Sequence, residues 1–100
     1  MEKPEKGKDS WVSLTASGIV TTLPCELIYV DMCPSAANAE VAIYDGIDAA
    51  GKPIHNIFAA VKLNSLFAPI KPVYCETGLY IVHTANVTRT FVQYRNVPRV

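Results

Sequence analysis

Charge is what this sequence has least of. Asp, Glu, Lys and Arg make up 18% of its 100 residues, against about 25% in ordinary soluble domains. Glu2, Lys3, Glu5, Lys6, Lys8 and Asp9 place six of the eighteen charges in the first ten residues, which leaves twelve for the ninety positions from Trp11 to Val100. A small domain has much surface for its volume, so such a body must expose apolar or neutral polar groups. Large exposed apolar patches mark association surfaces, and the body is therefore expected to be covered in part by copies of itself or by a partner. The competing expectation is a monomer coated with Thr, Ser and Asn. Net charge is zero, which argues against a general nucleic-acid binder, since phosphate neutralisation needs several cations.

Other absences narrow the reading further. No run approaches the roughly 18 apolar residues of a membrane span. The N-terminus carries charges but no apolar stretch of signal-peptide type, so no secretion signal is expected. Cysteines number three, an odd set that suggests reduced thiols in a protein made in a cytoplasm. Cys25 and Cys33 are separated by seven residues and Cys75 lies far away, unlike the close ligand pairs of a zinc knuckle. Buried small hydrophobes are the expected role for these cysteines.

The catalytic inventory is equally thin. A triad would need His55 or His83 beside a nucleophile and a carboxylate, yet His83 lies inside a strand-like run and no G-x-S-x-G elbow is present. Asp45-Gly46-Ile47-Asp48 is too short for a calcium loop, and there is no Gly-rich phosphate loop. Asn86-Val87-Thr88 matches a glycosylation sequon, read as accidental without a secretory signal. Arg89, Phe91, Tyr94 and Arg95 mix cations with aromatics as single-strand binders do, but an ordinary strand with one exposed face explains them as well. No catalytic, cofactor-binding or metal-ligating residue is assigned, and the chain is expected not to be an enzyme.

What is present reads as one all-β domain: a small antiparallel β-sandwich, jelly-roll-like, of seven or eight short strands over residues 11–100, behind a flexible N-terminal arm at residues 1–10. The arm has no apolar anchor after Met1, and Pro4 and Gly7 oppose helix formation. Trp11–Ala16 alternates Val12 and Leu14 with Ser13 and Thr15. Ile19–Leu23 is β-branched and stops at Pro24. Cys25–Met32 reads as a strand with Ile28, Val30 and Met32 on one face and Leu27 and Tyr29 on the other. Cys33–Asn38 reads as a loop, and Ala39–Asp45 as a strand ending at the turn pair Asp45-Gly46.

The middle admits two readings. Ile54, Ile57, Phe58 and Val61 fall at helical spacing after Pro53, a residue suited to a first helical turn. The same run also reads as a buried strand, which the β texture elsewhere favours. Leu66–Cys75 carries Pro69 and Pro72 and is expected to be an edge strand or an extended connection. Gly78–Thr84 and Val87–Arg95 read as a hairpin across Ala85-Asn86, with Thr88, Thr90, Val92 and Tyr94 on one face. Charge is split along the chain: residues 11–50 hold five acids and no Lys or Arg, whereas residues 51–100 hold six cations against Glu76.

Three segments together carry a resemblance: Val41–Gly46 (VAIYDG) before a small-residue loop, Gly78–Val82 (GLYIV) and Val87–Tyr94 (VTRTFVQY). In this order, across roughly Ile19 to Tyr94, the chain resembles small β-rich structural proteins of tailed bacteriophages. The resemblance implies a non-enzymatic virion protein, a capsid decoration (cement) subunit on the outer head or a neck, collar or tail component. It implies the major capsid protein or another virion protein as partner, a homo-oligomer with a trimer favoured, no cofactor, and no contact with nucleic acid or membrane. The three cysteines and the Pro-rich Leu66–Pro72 stretch depart from that pattern. From a different class comes a carbohydrate- or receptor-binding module, with Trp11, Tyr29, Tyr44, Tyr80 and Tyr94 as stacking faces.

Overall fold

The computed structural model describes residues 9–97; the first eight residues of the expected arm lie outside them. Among the described residues nine strands are present: β1 (Ser10–Leu14), β2 (Gly18–Thr21), β3 (Cys25–Pro34), β4 (Ala39–Asp45), β5 (Lys52–Ala59), β6 (Ser65–Phe67), β7 (Val73–Cys75), β8 (Leu79–Ala85) and β9 (Val87–Asn96). They form two antiparallel sheets. The first runs β1-β9-β3-β6, with β7 also paired to β3; the second runs β2-β8-β4-β5. The chain passes repeatedly between the sheets, the interleaving of a jelly roll. No helix among the described residues is long and apolar enough to cross a membrane.

Alternation explains most strands. Val12 and Leu14 pack against the core while Trp11 and Ser13 face out, because successive side chains of a strand point to opposite faces. Leu27, Val30, Met32 and Val92 of the first sheet meet Val41, Ile43, Leu79 and Ile81 of the second, all without solvent exposure. Each such side chain contributes about 1.5–3 kcal/mol by leaving water.

Strict alternation fails in β3. Leu27 and Val30 were expected on opposite faces, yet both are buried. Leu27 pairs with Tyr94 and Tyr29 with Gln93, two steps on β3 for one on β9. This β-bulge at Ile28 resets the parity of the strand, so that Cys25 and Leu27 before it and Val30 and Met32 after it all point inward. The strand also runs on to Pro34, two residues past its expected end.

The expected hairpin over Gly78–Arg95 is corrected. β8 pairs with β2 and β4, while β9 pairs with β1 and β3, so the two strands lie in different sheets. The chain changes sheet at Asn86, whose φ of 54° is one Asn tolerates better than most residues. Its amide donates to the carbonyls of Ala37 (3.0 Å) and Asn38 (3.4 Å), and its own carbonyl accepts from the Ser35 N–H at 2.8 Å. The corner is thus held by the β3–β4 loop rather than by a tight turn of its own.

Residues 52–59 are a strand, paired along β4 from Asp45↔Lys52 to Ala39↔Ala59; the helical alternative does not occur. The Pro-rich stretch contains two three-residue strands, each paired to β3. They bring the count to nine, above the seven or eight expected. Strand β1 begins at Ser10. Asp9 accepts hydrogen bonds from Gln93 (3.1 Å) and Arg95 (3.0 Å), so both residues, counted with the arm from sequence, sit on the sandwich.

Candidate interaction edges

A two-sheet sandwich has two open sides. One is bounded by β1 and β2, the other by β5, β6 and β7. Among the described residues ten large hydrophobic side chains are exposed, and six of them, Phe58, Val61, Leu63, Leu66, Ile70 and Tyr74, lie between residues 58 and 74 on the β5–β7 side. Ile70 is fully exposed and Leu63 is 69% exposed. Trp11, Ile19 and Leu23 sit at the β1–β2 side, with Trp11 70% exposed.

Local sequence explains why these groups stay outside. β6 and β7 are bounded by Pro69 and Pro72, and three residues bury little. Short strands, prolines and lysines are the devices by which sheet edges resist stray strand pairing, and Lys52, Lys62 and Lys71 stand on this side. Backbone pairing is discouraged there, while side-chain contact is left open. Residues 10–25, by contrast, contain no charge at all.

Between β5 and β7 the edge opens into a cleft of about 330 Å³ lined by Asp45, Lys52, Ile54, His55, Phe67 and Tyr74 among others. His55 stacks on Phe67 with ring centroids 4.2 Å apart and planes 15° from parallel, joining the two sheets at their rim. Asp45 braces the floor. Its carboxylate accepts from the backbone N–H groups of Glu76 (3.0 Å), Thr77 (2.9 Å) and Gly78 (3.3 Å), fixing the β7–β8 connection. A side chain at Gly78 would place its first carbon 2.7 Å from the Thr21 carbonyl oxygen, so the close approach requires glycine.

The two histidines have separate settings. His83 is half-buried and its Nε2 lies 2.8 Å from the hydroxyl of Thr90, a fully buried polar residue. Burial holds its pKa below the ordinary histidine value, and the pair bridges the two sheets. His55 is 28 positions away in sequence and stacked at the rim, so the fold does not join the two in one site. Asp45-Gly46-Ile47-Asp48 forms the β4–β5 turn, where Asp48 accepts from the Ala50 N–H at 2.9 Å.

The cation–aromatic set on β9 separates as well. Arg95 bonds Asp9 at 3.0 Å and Glu26 at 3.2 Å. Arg89 sits 5.8 Å from the centre of the Phe91 ring, which in turn lies 6.3 Å from Trp11. Tyr94 packs against the core. Of the other expected stacking faces, Tyr29, Tyr44 and Tyr80 are half-buried; Tyr44 and Tyr80 are cross-strand partners. Tyr74 and Phe67, which line the cleft, were not among them; their signal in the sequence was only an apolar residue in a Pro-rich stretch.

All three cysteines are free thiols. Cys33 is half-buried and accepts from the Asn64 amide at 3.4 Å. Cys25 and Cys75 are fully buried and directly opposite one another on β3 and β7. The pairing was invisible from sequence, where they stand fifty positions apart (75 − 25).

No protein-family model matches the chain, and no curated protein matches it. Among solved structures it is similar to a protein of Bacillus endospore appendages, described as a novel family of disulfide-linked pili. The two are 12% identical over 91% of this chain and 87% of that one, with a TM-score of 0.47. A likeness of this size decides neither fold nor role. None of these findings points to tailed phages. Of the three segments behind that resemblance, VAIYDG lies in β4 and its turn, GLYIV in β8 and VTRTFVQY in β9; the last two do not pair with each other.

Proposed function

We propose that this chain is a non-enzymatic structural subunit that packs side by side with other copies of itself through its two open edges. The observation that carries this reading is the set of six exposed large apolar side chains within the seventeen residues from Phe58 to Tyr74. Exposed apolar surface so concentrated marks a contact surface. Residues 52–74 carry Lys52, Lys62 and Lys71 and no acid, so two such edges brought face to face would repel. The uncharged β1–β2 edge, with Trp11 at its rim, is the better match. A contact between different edges is heterologous, and it closes into a ring or continues as a filament. We favour the three-fold ring.

The particular setting we favour is the outer surface of a tailed-phage head, with the major capsid protein beneath the ring. Support for it comes from the order of the VAIYDG, GLYIV and VTRTFVQY segments and from the charge-poor body. Analytical ultracentrifugation across micromolar concentrations tests self-association: a trimer is expected, and a monomer throughout refutes it. Locating the chain in a density map of an intact particle tests the setting.

One observation favours a second reading. The cleft beside Tyr74 and the His55–Phe67 stack offers an aromatic wall with Lys52 and Asp45 also in its lining, a composition suited to a sugar. Binding of glycans that is lost in Tyr74→Ala would support it.

A further inference from the structure

We propose that Cys25 and Cys75 are a disulfide-forming site, closed when the protein meets an oxidising environment and leaving Cys33 as the free thiol. The two residues are direct cross-strand partners in the antiparallel β3–β7 pair. Opposed residues in such a pair have Cα atoms about 4.5–5.5 Å apart, inside the 4.4–6.8 Å that a disulfide spans. No backbone movement is needed to bring them together. Both are fully buried. The Cys75 thiol lies 3.7 Å from the Val73 carbonyl oxygen.

The surroundings assign different parts to the two sulfurs. The hydrogen bond from Cys75 holds the Cys25 pKa below the ordinary thiol value, against burial and the nearby carboxylates of Asp45 and Glu26. The same bond, with burial, pushes Cys75 up. Of the two, Cys25 gives up its proton more readily, and the thiolate is the nucleophile. With a small disulfide as oxidant, the Cys25 sulfur attacks one of its sulfurs and expels the other as a thiolate, which takes a proton from solvent. The resulting mixed disulfide on Cys25 is attacked by Cys75, which gives up its proton as the second small thiol leaves. Two protein thiols become one disulfide, and the two electrons reside on two reduced small thiols.

Access is provided by the strand itself. β7 has three residues and is paired on one side, to β3. Short rim segments open locally at far lower free energy than the centre of a fold, so β7 can lift while the rest stays folded. Once closed, the bond would fasten the floor of the rim cleft to the centre of the first sheet.

The test uses the full chain in buffered mixtures of oxidised and reduced glutathione. One sample starts folded, and a second is refolded from denaturant in the same buffer so that burial cannot block the reaction. Remaining thiols are alkylated and the protein is analysed by intact and peptide mass spectrometry. The expected result is the loss of two hydrogens, a single alkylated residue at Cys33, and a cross-linked peptide pair containing Cys25 and Cys75. Cys33→Ser should lose two hydrogens in the same way, and Cys75→Ser should form no internal disulfide and instead carry glutathione on Cys25. Three alkylated cysteines after refolding in the oxidising mixture, or a disulfide that includes Cys33, would overturn the proposal.

Discussion

β3 and its two short neighbours β6 and β7 belong to one sheet yet behave as different materials. β3 is ten residues long, is paired on both sides, and buries Cys25, Leu27, Val30 and Met32 completely. β6 and β7 have three residues each, and Leu66 and Tyr74 point into solvent from them. The centre of the sheet holds the fold, and its rim is chemically free to meet something else. Separating the two tasks lets association surfaces change without unfolding the domain, because substitutions away from buried features rarely shift stability by more than about 0.5 kcal/mol.

Tying rim to centre should produce the largest effect. Closing a Cys25–Cys75 disulfide across fifty positions of chain should stabilise the oxidised protein by about 4 kcal/mol through the restricted unfolded chain, read as a rise in Tm of more than about 10 °C. Removing a central side chain comes next. Leu27→Ala, in the core at the bulge of β3, should lower stability by about 3 kcal/mol in urea unfolding. Asp45→Ala should cost about 2 kcal/mol, because it strips the acceptor from three backbone N–H groups of the β7–β8 connection and leaves the partly buried one poorly satisfied.

The rim itself should show the smallest stability change and a large change of another kind. Leu66→Asp should shift the unfolding midpoint by under about 0.5 kcal/mol while abolishing self-association in sedimentation. An unfolded variant, or one that still assembles, would erase the distinction between centre and rim. Acid supplies a milder probe. Burial depresses the His83 pKa in the folded state, so the unfolded chain binds the proton first as pH falls. The stability that His83 contributes is present above the ordinary histidine pKa of about 6.5 and declines as pH falls from there toward the folded value. His83→Gln should flatten that part of a pH series of thermal melts.

The centre was far more legible in the sequence than the rim. Ala39–Asp45 was read with its strand bounds unchanged, because a β-branched run between a small-residue loop and Asp45-Gly46 leaves little choice. The face of β9 shared by Thr88, Thr90, Val92 and Tyr94 also followed from alternation; Thr90 and Val92 are buried and Tyr94 packs on the core, while Thr88 is exposed. Parity in β3 was misread because a bulge is decided by the partner strand, and nothing local to Ile28 announces it. The hairpin of β8 and β9 was misread for a similar reason: Ala85-Asn86 has the chemistry of a turn, and only the packing of two sheets reveals it as a corner. As for the candidate sites, low charge foretold exposed apolar surface but not its concentration between residues 58 and 74. The Cys25–Cys75 pair, being a contact between distant segments, left no trace in spacing.

The position of β9 has a consequence for the order in which the protein can be made. β9 lies between β1 and β3 and is the partner that links them, so residues near the start of the chain cannot enter a sheet until residues 87–96 have been synthesised. A ribosome adding about 5–20 residues per second therefore holds β1 unpaired, with Val12 and Leu14 uncovered as well as Trp11, for several seconds. During that interval the nascent chain presents an uncharged, tryptophan-bearing strand to whatever surrounds it, and the last ten residues of the sandwich act as its closing stave.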